Sequence, residues 1–91
     1  MTSELFQALK QAEASFEADA SLANLDALEA AERAYFSALG ATRAAWAALP
    51  EGERKDSAEL NAYDTVEENS ADRADELYRL QIAISTYELT A

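Results

Sequence analysis

From Leu22 onward the apolar positions of the chain keep a seven-residue beat. Leu25, Glu32, Leu39 and Trp46 occupy one heptad position, and Leu28, Tyr35, Thr42 and Leu49 occupy a second. This spacing holds one seam of a helix against a partner helix and predicts a single helix over about 22–49. At 1.5 Å per residue that helix is roughly 42 Å long. Gly40 falls inside it. A helix-interior Gly costs about 1 kcal/mol relative to Ala, but beside Ala38, Ala41, Ala44 and Ala45 it leaves a smooth surface that another helix can approach closely. Pro50 lacks the amide hydrogen a helix needs and stops the pattern.

The segment LPEGERKDS holds the chain's one proline, its second glycine and a run of charges, which together predict a solvated connection over about 50–56. Asp56 or Ser57 can cap a third helix. With no Pro or Gly beyond them, that helix is expected to run over about 57–87. Its seams are Tyr63, Ser70, Leu77 and Ile84, with Val66, Arg73, Leu80 and Tyr87 alongside; they are apolar at both ends and polar in the middle. Tyr63, Tyr78, Tyr87, Leu77, Leu80, Ile82 and Ile84 read at this spacing as core, not as the wall of a small-molecule pocket.

Ahead of the long helix, Ser3 followed by Glu4, Leu5 and Phe6 marks a helix start. Leu5, Leu9, Ala12 and Phe16 then fall on one face, so a first helix is expected over about 4–18. Asp19 or Ser21 caps the next one. The fold class that follows is all-α and one domain, 1–91: a short N-terminal helix packed on a long antiparallel helical hairpin, a coiled-coil-like three-helix bundle.

Composition narrows the chemistry. The 91 residues include no His and no Cys, which removes the usual nucleophile–base pairs, thiol chemistry and the Glu-x-x-His pairs of helical di-metal sites. No glycine-rich phosphate loop is present. The expectation is a protein that is not an enzyme and uses no cofactor and no metal. No stretch of 18 apolar residues occurs, and MTSELFQALKQ lacks a basic region followed by an apolar core. A soluble cytoplasmic protein without a signal or membrane span is therefore expected.

Charge narrows the partners. The net charge is −11, which opposes direct contact with nucleic acid or anionic lipid and favours a basic protein surface. It is unevenly spread, with −5 over 1–33, +1 over 34–49 and −7 over 50–91. In DTVEENSADRADE, six carboxylates stand against one arginine: Asp64, Glu67, Glu68, Asp72, Asp75 and Glu76. Asp64, Glu68, Asp72 and Glu76 recur every four residues, which stacks like charges on one side of a helix and weakens it by a few tenths of a kcal/mol per pair. A solvated face explains most such runs. A row of carboxylates also imitates a row of phosphates, and can occupy a groove that holds nucleic acid.

In character, being small, acidic, free of cysteine and without a catalytic constellation, the chain is similar to phage-type inhibitors. That likeness implies a blocker of a nucleic-acid-binding machine, such as a CRISPR effector or a restriction enzyme, and is an analogy of class. The contrasting expectation is an assembly protein whose hairpin oligomerises or docks in a larger particle. It draws on AYFSALGATRAAWAAL, Ala34 to Leu49, where Arg43 is the one charge. A helix so uniformly apolar needs cover on every side, and a homodimer through Phe36, Gly40 and Trp46 would supply it.

Overall fold

The capping signals and the heptads act where they stand. In a computed structural model, which describes residues 2–90, Ser21 accepts a hydrogen bond on Oγ from the Asn24 amide at 3.1 Å and starts α2, Leu22–Ala48. The Asn24 side chain turns back to the Asp19 carbonyl at 2.9 Å, fixing the tight turn out of α1, Thr2–Ala18. Thr2 and Ser3 lie inside α1, so Ser3 is not its cap. Gly40 interrupts nothing, and α2 runs straight through it.

The connection after Pro50 is pinned rather than loose. Glu51–Glu53 forms one 3-10 turn, and Arg54 folds back to donate to the carbonyls of Ala47 at 2.7 Å and Leu49 at 3.0 Å. It thereby satisfies carbonyls that the end of a helix leaves open, with a cation where the helix dipole favours one. Trp46 donates from Nε1 to the Lys55 carbonyl at 3.0 Å. The Arg43 and Arg54 guanidinium groups lie 4.6 and 5.3 Å from the centre of its ring, a cation–π arrangement. Ser57 then accepts from the Leu60 amide and starts α3, Ala58–Glu68.

The expected single helix over 57–87 is divided. After Asn69 the chain continues as α4, Ser70–Thr90. Asn69 itself has φ −97° and ψ 4°, outside helical values. No Pro or Gly causes this. The polar side chains at the join take up backbone carbonyls, Asn69 Nδ2 bonding Thr65 at 2.9 Å and Ser70 Oγ bonding Glu67 at 2.8 Å, the local competition that weakens a helix around Asn and Ser. The amide of Asn69 still reaches Thr65 and that of Arg73 still reaches Asn69, so the four-residue spacing survives the break.

The assembled fold is the expected all-α architecture, with α1 packed on α2 and α2 antiparallel to α3 and α4. Every other helix packs against α2, while α1 makes no close backbone approach to α3 or α4. Glu59 ties one end, its two oxygens accepting from Thr2 at 2.9 Å and Thr42 at 3.0 Å. At the other end Glu88 accepts from the Leu22 amide at 3.3 Å. The result is a flat slab, 59 × 24 × 14 Å, with a radius of gyration of 16.0 Å, against about 12 Å for a compact chain of this length.

A slab has a thin core. Leu9, Leu25, Leu28, Leu39, Leu60 and Ile84 are buried, each worth about 1.5–3 kcal/mol of apolar transfer. Phe6 meets Tyr35 at 5.5 Å between ring centres, and Phe36 stacks on Tyr63 at 5.2 Å. Tyr78, Ile82 and Tyr87, expected in the core, are exposed. With α1 standing on α2 and not on α4, α4 has one helical neighbour to cover its Leu77 and Ile84 side and none for its Tyr78 and Ile82 side.

Candidate functional site

The acidic positions divide into those that meet a cation and those that do not. Glu76 is taken by Arg73 at 3.0 Å, and Asp75 by Arg79 at 3.1 Å. Asp64, Glu67, Glu68 and Asp72 meet no cation within 4.0 Å among the described residues. All six are exposed. Because the helical spacing persists across Asn69, Glu68 at the end of α3 and Asp72 at the start of α4 stay on one side. Glu67 and Glu68 occupy the last turn of α3, which carries no basic residue and is the end where a helix dipole disfavours anions.

Along the outer side of α4, Asp72, Asp75, Glu76 and Arg79 border an open apolar strip made by Leu80 and Ala83. Of these carboxylates Asp72 alone has no cation partner among the described residues, and the apolar strip beside it is open to the methylene stem of a lysine or arginine.

Arg73 anchors this face to the rest of the slab. It reaches from α4 to Glu32 on α2, donating from Nε at 3.0 Å and Nη2 at 2.6 Å, and turns Nη1 to Glu76. The hydrogen bond with Glu32 raises its pKa above the ordinary arginine value, against partial burial, which lowers it. Sequence pattern marks Arg73 and Glu32 as polar interruptions of two seams. Their meeting is a product of the register between α2 and α4.

Phe36, Gly40 and Trp46, the expected self-association residues, all make contacts within the chain. Phe36 stacks on Tyr63, a Cβ on Gly40 would stand 3.8 Å from Tyr63 Cε2, and the Trp46 ring carries the guanidinium groups of Arg43 and Arg54 over it. The residues of Ala34–Leu49 that face solvent are mainly Ala and Ser, among them Ala34, Ser37, Ala41, Ala44 and Ala45. Sequence reasoning missed a second feature, an apolar groove of ≈ 610 Å³ to which all four helices contribute. Its trace in the sequence, the four-residue spacing of Ala74 and Tyr78 on α4, is shared with core positions and does not mark it.

Among the described residues no three carboxylates converge as a metal site, and no helix is long and apolar enough to cross a membrane. Comparison with protein-family models, curated proteins and solved structures finds no match.

Proposed function

We propose that the chain is a non-catalytic acidic binding protein whose Asp64–Glu76 face docks on a basic protein surface of the kind that holds nucleic acid, and blocks it in the manner of a phage-type inhibitor. The observation that supports this reading is the group of exposed carboxylates without a cation partner among the described residues, Asp64, Glu67, Glu68 and Asp72. Like charges at four-residue spacing, and anions at the end of α3, both work against helix stability. Solubility alone needs neither placement.

The experiment is capture on immobilised chain followed by competition. A basic protein retained at low salt should be released as salt rises, and should lose affinity for a labelled duplex when the chain is added, since both ligands need the same groove. Glu68→Gln with Asp72→Asn keeps side-chain size and removes two charges. This variant should stay folded, bind more weakly and lose part of its salt dependence. Equal binding by variant and parent at low and moderate salt would reduce the stripe to a solvated face.

A further inference from the structure

Exposure and charge single out one uncovered face of a slab with surface to spare. The chain exposes 6440 Å², whereas a folded monomer of its 9.9 kDa exposes about 5200 Å². The excess, about 1200 Å², is spread over the whole flat slab and leaves room for an interface of the standard ~800 Å² per partner. The walls of the groove include Leu9, Tyr35, Phe36, Val66, Leu77 and Tyr78, and Tyr78 is also one of the large apolar side chains that face solvent. Next to it, Ala71, Ala74, Tyr78, Ile82, Ser85 and Leu89 follow one another down one side of α4 at helical spacing. Tyr78, Ile82 and Leu89 are 62%, 48% and 87% exposed.

We propose that a second copy of the chain covers this face, the α4 stripe around Tyr78 and Ile82 of each copy seating in the groove of the other about a two-fold axis. A two-fold contact brings the same patch of each copy together, so any net charge there meets its own image. For a chain of net charge −11 this excludes most of the surface. The stripe bears no charge along its length. The charged groups of the groove are Glu29, Glu32, Arg33 and Arg73, two of each sign. Arg33 is held loosely, its side chain 73% exposed and 4.0 Å from Glu29, and is placed to meet a carboxylate of the other copy.

The alternatives fit less well. A basic partner finds no surplus of anions in the groove, and the solvent side of α2, with Ala34, Ser37 and Ala41, offers small side chains without a recess. The carboxylates Asp64, Glu68 and Asp72 lie outside the groove, so the dimer leaves them accessible and stands or falls independently of what they bind.

Sedimentation of the full chain from low to high micromolar concentration tests the proposal. A dimer is expected, with association that persists at moderate salt because the contact is mainly apolar. Tyr78→Ser with Ile82→Ser should weaken it by at least about tenfold while the circular-dichroism spectrum stays helical, since neither side chain is part of the buried core of one copy. Should that variant lose its helical signal, Ala74→Glu serves instead, adding a charge to the face and removing no side-chain packing. Ala41→Glu, on the solvent side of α2, should leave the dimer intact. The proposal is overturned if the wild-type chain sediments as a monomer throughout. It is equally overturned if Ala41→Glu dissociates the dimer while folded stripe variants do not, or if a folded stripe variant and Ala74→Glu both keep wild-type association.

Discussion

Arg73 and Glu32 meet across the middle of the slab, with Arg73 Nε and Nη2 both donating to the same Glu32 oxygen, at 3.0 and 2.6 Å. Each interrupts an otherwise apolar seam of its own helix. A shift of α4 by one heptad along α2 would set Arg73 opposite Leu25 or Leu39, both fully buried, and leave a guanidinium without an acceptor. A polar pair at such a position fixes register at some expense in stability.

Register control by this pair yields the first prediction. Glu32→Gln should lower unfolding free energy by about 1 kcal/mol, the scale of a partly exposed charged pair. Glu32→Leu alone should cost more, because Arg73 keeps its charge and loses its main acceptor. Combining Glu32→Leu with Arg73→Leu should recover most of that loss. Urea unfolding of the four proteins of the cycle measures the coupling, and additive losses would show that the two side chains act independently.

Gly40 supplies the second. The Cβ absent from it would meet Tyr63 Cε2 at 3.8 Å, an ordinary van der Waals distance, in the interior of a helix where Gly is about 1 kcal/mol worse than Ala. Gly40→Ala should therefore stabilise the chain by about 1 kcal/mol, raising Tm by roughly 4–8 °C in thermal unfolding. A lower Tm would mean that α2 and α3 need the absence of a methyl group at Gly40 in order to pack.

The break between α3 and α4 supplies the third. Asn69→Ala with Ser70→Ala removes the two side chains that compete for carbonyls and installs the best helix former at both positions. Amides 70–72 should exchange with solvent more slowly, and stability should change by less than about 1 kcal/mol. Unchanged exchange would place the cause of the break in the packing against α2 instead.

Pattern alone reached the α2 seam because Leu25, Leu28 and Leu39 are apolar at heptad spacing and all three are buried. It reached the caps because Ser21 and Ser57 act locally. It did not reach the break at Asn69, where two weakly helix-breaking residues act together without Pro or Gly, nor the pairing of Arg73 with Glu32, 41 residues apart. Trp46 was legible as an anchor but not as one for its own chain, since Arg54 and Lys55 are brought to it only when the connection folds back. The exposed side of α4 was illegible for a related reason. Tyr78 and Ile82 have core-like spacing, and their exposure follows from α1 standing on α2. For the acidic face, sequence gave the positions, and the structure added which carboxylates already have cations.

The central place of α2 also bears on how the chain acquires its shape. α1 docks on the helix that follows it, and α3 docks on the helix that precedes it, so these pairings need just the closing of short turns. Loop closure of that kind has a small entropic barrier, and chains dominated by such contacts reach the native state on the order of microseconds to milliseconds. Docking of α4 on α2 closes a longer stretch of chain, which favours its forming after those pairings, and the Arg73–Glu32 contact forms with it. A substitution at Glu32 should accordingly leave the refolding rate nearly unchanged and accelerate unfolding, whereas a substitution at Leu28 or Leu39, in the helix on which the other three assemble, should slow refolding itself.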